Sequence, residues 1–118
     1  MSTPSGPTVG ARSAWTKRLV QLQGAPTPVP GLWVACHPRG GYAIVHEGSG
    51  CVVGAGYSDP EAALAAVTEC APLADWTESG NDGRMELPRA VIDRIDAIVR
   101  RWGGDGVVVK RRSDRAVA

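Results

Sequence analysis

Two histidines and three cysteines are the residues of this 118-residue chain best suited to chemistry. His46 and Cys51 flank Glu47–Gly50 (EGSG), which reads as a turn, so the two can meet across a hairpin. A thiol beside an imidazole base is the arrangement of a cysteine nucleophile. The same pair supplies two of the four donors that tetrahedral zinc requires. Cys36 and His37 cannot both join such a site, because neighbours in a strand point to opposite faces. The carboxylate pairs Asp59/Glu61 and Asp93/Asp96 fit helix capping and surface positions. The glycine-rich runs GYAIVHEGSG and GGDG match neither phosphate-loop nor dinucleotide spacing. We therefore expect no enzyme, no cofactor and no metal.

These residues sit in Gly31–Ala71, which reads as three short strands and one helix. Leu32–His37, Tyr42–His46 and Cys51–Gly56 are the strands, separated by the turns Pro38–Gly41 and Glu47–Gly50. No crossover helix intervenes, so the strands should pair antiparallel. Ser58-x-x-Glu61 has the form of a capping box and Pro60 suits a first turn, which predicts a helix over Asp59 to about Cys70. Its core face should carry Ala63, Leu64, Val67, Cys70 and Ala71. Pro72 ends it, and Leu73 and Trp76 should fold back onto the core.

Four-residue turns would set Trp33 opposite His46, and His46 opposite Cys51. One sheet face would then hold Trp33, Ala35, His37, Tyr42, Ile44, His46, Cys51 and Val53. The other would hold Val34, Cys36, Ala43, Val45 and Val52 and would pack on the helix. The first face is aromatic and mixed, so Trp33, Tyr42 and His46 are the candidate surface for a protein partner. The alternative is that this face packs against the N-terminal segment and the C-terminal helix.

The flanks are simpler. Residues 1–13 are mostly Ser, Thr, Pro and Gly with little to bury, the composition of a flexible arm. Trp15–Gln23 suits a helical face through Trp15, Leu19 and Leu22, and Leu19–Gln23 suits a strand equally well. Gly24–Gly31 is a proline-rich connector. Pro88–Trp102 reads as an amphipathic helix, with Val91, Ile92, Ile95, Ile98, Val99 and Trp102 on one face. Gly103-Gly104 stops it, Val107–Val109 resembles a last strand, and residues 113–118 form a charged tail. Residues 14–112 make one domain.

Composition bounds the class. Phe is absent and four Trp supply most of the aromatic bulk. The net charge of +1 is unevenly spread, with −3 over residues 1–83 and +4 over residues 84–118. That asymmetry suits an anionic partner for the C-terminal third. An odd cysteine count without a CxxC pair suits a reducing cytoplasm. No apolar run is long enough to span a bilayer, and no signal-peptide pattern opens the chain. Arg outnumbers Lys eleven to two, which accords with a high-GC bacterial or phage genome.

Gly41, Tyr42, Gly50, Cys51, Gly56, Ser58, Glu61 and Ala62 resemble the core of HicB-type antitoxins, a β-meander followed by a helix. That resemblance implies a dimeric regulator that binds a protein partner and often carries a DNA-binding segment after the core. Residues 83–104 in turn resemble the start of a ribbon-helix-helix domain, through Arg84–Leu87, Pro88 and Ile95-Asp96-x-Ile98. By that analogy Arg84 and Glu86 would enter the major groove. Where the family has a second helix, this chain has DGVVVKRRSDR, which reads as strand. The run at Leu73–Thr77 resembles small accessory proteins of actinobacterial phages and plasmids. The expectation is an α+β domain with an antiparallel meander of three to five strands and two helices packed on it. It would bind a protein partner and possibly DNA, the latter through Arg84, Arg89, Lys110, Arg111 and Arg112, with no membrane association and a possible homodimer. The alternative is a phage or mobile-element protein acting only by protein–protein contact, such as an inhibitor of a host factor.

Overall fold

The structure is a computed structural model and describes residues 7–12, 19–37, 40–77 and 87–105. Five strands form a meander in the order β1-β2-β3-β4-β5, each pair antiparallel. They are β1 (Thr8–Arg12), β2 (Leu19–Pro26), β3 (Leu32–Cys36), β4 (Tyr42–His46) and β5 (Val52–Tyr57). Two α-helices follow, α1 (Pro60–Cys70) and α2 (Arg89–Arg101). The fold is α+β.

Three layers result. The meander β3–β5 lies in the middle. One of its faces carries Leu32, Ile44, Val53 and Tyr57 against Ala63, Ala66, Val67 and Cys70 of α1 and Ile92, Ile95, Ile98 and Val99 of α2. The small α1 residues let that helix sit close to the strands. The other face is covered by the β1–β2 hairpin, whose Val9, Ala11 and Leu22 pack on Ala35 and Val45.

One strand serves two layers. Residues 19–23 of β2 pair with β1, and Gly24, Ala25 and Pro26 pair with β3. The change occurs at Gly24, where a Cβ atom would lie 2.5 Å from the Val34 carbonyl oxygen and 2.7 Å from Ala35 Cα. Only glycine lets the two backbones approach this closely.

Several expectations are corrected. Within the expected flexible arm over 1–13, Thr8–Arg12 is a strand, because alternating Val9 and Ala11 bury on the meander, and residues 1–6 and 13 lie outside the described residues. Of the two options for residues 15–23, the strand holds over Leu19–Gln23, with β2 continuing into the proline-rich connector. The α1 cap is Asp59, whose carboxylate accepts from the N–H groups of Glu61 and Ala62. Ser58 does not cap, since Asp59 is the last extended residue before the helix. Leu64 is exposed and Ala66 takes its place in the core. Trp102, expected on the core face of α2, is 39% exposed.

The pairing of β3 with β4 differs from expectation by one residue. Leu32 sits opposite His46, Trp33 opposite Val45 and Cys36 opposite Tyr42. The connection spans five residues, 37–41, closed by His37 N–H to the Gly41 carbonyl at 2.9 Å. One extra residue exchanges the faces of β3 relative to β4. Tyr42, Ile44 and His46 therefore lie on the helix side with Leu32 and Val34. Trp33 and Ala35 lie on the hairpin side. Of the set expected to meet the helix, Ala43, Val45 and Val52 face the hairpin, and Val34 meets the helices as expected.

After α2 the chain returns to the sheet. Asp105 makes an antiparallel bridge to Ala55, through N–H to carbonyl contacts of 2.6 and 3.1 Å. The expected strand Val107–Val109 and the charged tail lie outside the described residues.

Candidate functional site

The turn after β4 builds the most connected polar cluster among the described residues. Gly50 N–H donates to the His46 carbonyl, and His46 N–H donates to the Cys51 carbonyl, both at 2.8 Å. This closure tucks the His46 side chain beneath the turn, with 0% exposure. His46 Nε2 lies 2.8 Å from the Trp76 carbonyl oxygen. A carbonyl only accepts, so Nε2 carries the proton. Nδ1 is then the acceptor, and the Ser49 hydroxyl 2.7 Å away donates to it. Ser49 Oγ in turn accepts from Cys51 N–H at 3.0 Å.

The Trp76 carbonyl reaches His46 by passing over Gly31, which has φ +94° and leaves no room for a Cβ. The Trp76 indole lies edge-on to the imidazole, with ring centroids 6.2 Å apart. Its Nε1–H donates to the Cys70 carbonyl at the end of α1. The cluster thus ties the segment after α1 to the β4–β5 turn.

A serine hydroxyl on an imidazole that is oriented by a carbonyl has the connectivity of an activated nucleophile. Here each group is occupied by structure. Ser49 Oγ uses its proton on His46 and accepts from Cys51 N–H, and it is 5% exposed. Cys51, the expected thiol partner, is also buried, and its backbone carbonyl and N–H both enter the cluster. Sequence reading paired His46 with Cys51 and missed Ser49 and Trp76. A serine three residues after the histidine, in a tight turn, is the local signal for the first. Trp76, thirty residues away, has no local signal.

The expected partner surface is not one surface. His46 is buried, Tyr42 is half-buried on the helix side, and Trp33 is half-buried on the hairpin side. The one-residue change of register separates Trp33 from the other two. Among the described residues no three His, Cys, Asp or Glu side chains group to hold a metal ion.

The basic face is partly visible. Arg89 lies exposed in the first turn of α2. Arg84, Lys110, Arg111 and Arg112 lie outside the described residues. The outward side of α2 also carries exposed Arg94, Arg100 and Arg101. Arg100 pairs with Asp96 one turn earlier at 3.0 Å, and Arg101 reaches Glu69 of α1 at 2.9 Å. Trp102 donates its indole N–H to the other oxygen of Glu69. Glu69 therefore joins the ends of both helices and holds an exposed indole in place.

Two groups beneath the helices are shifted by burial. Desolvation pushes the Cys70 thiol up to about 11, with Glu69 adding to the effect. Desolvation also raises the Tyr57 phenol well above its usual range, with Cys70 and Asp105 contributing. Its hydroxyl donates to the Val99 carbonyl at 3.1 Å. Both therefore act as neutral packing groups.

No family model, curated protein or solved structure matches the chain. No helix among the described residues is long and apolar enough to cross a membrane.

Proposed function

We propose that the chain is a non-enzymatic regulator resembling an antitoxin, which binds a protein partner and contacts DNA with its basic C-terminal third. The observation that carries this reading is the placement of α2. Its apolar stripe of Ile92, Ile95, Ile98 and Val99 is sunk in the same core as the meander and α1. Its arginine-bearing side faces outward as a result. A rigidly seated helix with cations on its outer face is suited to tracking a phosphate backbone. That Ser49 and His46 are committed to structural hydrogen bonds also supports a binding activity over catalysis.

The test is fluorescence anisotropy on labelled duplex DNA across a salt series. Binding should weaken as salt rises. Arg89→Ala should lower affinity uniformly across sequences and reduce the salt slope by about one ion. Binding that ignores salt defeats the DNA part of this reading.

A second reading is favoured by Trp102. An exposed indole held by Glu69 beside Arg101 has the make-up of an interface anchor, since Trp and Arg dominate such sites. On this reading the protein acts by protein–protein contact alone. Trp102→Ala should then abolish partner capture while circular dichroism stays unchanged, and no DNA binding should be seen.

A further inference from the structure

The backbone hydrogen-bond pattern of β1 determines which of its groups face away from β2. Gly24 N–H donates to the Pro7 carbonyl at 3.1 Å, so Pro7 and Gly24 form a hydrogen-bonded pair of the antiparallel ladder. The register continues without a shift from Thr8↔Gln23 to Arg12↔Leu19. Hydrogen-bonded pairs alternate along such a ladder, so Val9 and Ala11 direct their backbone groups at β2. Thr8, Gly10 and Arg12 direct theirs outward. β1 is the terminal strand of the sheet order, and no described strand pairs with that edge.

Edges of this kind are ordinarily blunted by a bulge, an internal proline, charged side chains or a covering element. β1 has no bulge against β2 and no internal proline, and its one charged residue, Arg12, stands at its end. We infer that this edge is the contact between two copies of the chain, with β1 pairing antiparallel to its own copy about a two-fold axis at Gly10.

The strand is self-complementary in this register. Gly10 meets Gly10 of the second copy, and Thr8 meets Arg12 at both ends. All three outward-facing residues of each strand then exchange hydrogen bonds and none is left over. Val9 lies opposite Ala11 of the other copy, so the apolar side of the hairpin continues across the axis. At the axis itself the same residue faces itself, and the two Gly10 backbones exchange both hydrogen bonds. An isologous contact of this kind closes on itself as a dimer. It is independent of any DNA contact by α2.

The test is sedimentation of the full chain over a range of concentrations, with amide hydrogen exchange on the same samples. The expected species is a dimer with twice the 12.3 kDa mass of the chain. Amides of Thr8, Gly10 and Arg12 should be protected in concentrated samples and exchange faster on dilution. Gly10→Pro removes the outward N–H in both copies and leaves the β2-directed bonds of Val9 and Ala11 in place. It should weaken association roughly tenfold or more, while Gly10→Ala, which keeps the N–H, should preserve it. Circular dichroism establishes that each variant is folded. Should Gly10→Pro unfold, the exchange pattern of the unaltered chain decides. A monomer at every concentration, or a dimer whose three amides exchange alike at high and low concentration, overturns the inference.

Discussion

His46 Nε2 donates to the carbonyl of Trp76, thirty residues further along the chain. This bond and the Ser49 bond at Nδ1 leave the buried imidazole fully satisfied. Replacing it with Leu keeps the volume roughly but strands the Trp76 carbonyl and leaves the Ser49 hydroxyl proton without an acceptor. The expected loss is about 3 kcal/mol, since each buried group left unpaired costs roughly 1–3 kcal/mol. Ser49→Ala should cost less, because His46 keeps its bond to Trp76. Urea unfolding followed by tryptophan fluorescence measures both. A His46→Leu variant as stable as the parent would show that the cluster contributes nothing.

Alkaline pH should destabilise the fold. Cys70 is raised from its ordinary value of 9.0 to about 11. Tyr57 is raised from its ordinary value of 10.0. In both cases the folded state holds the proton more tightly than the unfolded chain. The stabilisation is complete below pH 9 and is lost as pH rises through the folded-state values. The melting temperature should therefore fall with increasing pH above about 9. Cys70→Ala should flatten the first part of that fall, and Tyr57→Phe the later part. A pH profile unchanged by either substitution would remove these groups as its source.

The α1 cap separates two adjacent residues that look interchangeable. Asp59→Ala should destabilise by about 1 kcal/mol, the usual cost of a lost N-cap. Ser58→Ala should stay within about 0.5 kcal/mol, as an exposed substitution away from such features does. Thermal unfolding of the two variants distinguishes them, and the reverse order would assign the cap to Ser58.

The corner in β2 is sterically demanding. Gly24→Ala places a methyl against the Val34 carbonyl and Ala35. The hairpin should lift from the meander, with loss of amide protection at Val9, Ala11 and Leu22 before global unfolding. Hydrogen exchange reads this directly, and unaltered protection at those three positions would contradict it.

The strands and helices were legible where patterning was local. Tyr42–His46 carries the whole of β4, and the spacing of Ile92, Ile95, Ile98 and Val99 carries α2. What was not legible depended on a single turn. Whether the β3–β4 connection holds four residues or five decides which side Trp33 faces, and PRGG is compatible with both. β1 was hidden by composition, because Pro, Gly and Ser around Val9 and Ala11 mask two inward apolar residues. The buried cluster was half legible. His46 and its turn stood out, and Trp76 reaches them only through the packing of α1.

The meander is sheathed on both sides, by a hairpin on one and by two helices on the other. A partner approaching it finds no broad sheet surface to lie on. Surface available for contact is thereby displaced to the perimeter, where strand margins offer backbone groups and helix backs offer charge. Contacts made through backbone groups depend little on side-chain identity. A rim of this sort can keep its backbone geometry while much of the residue identity behind it drifts.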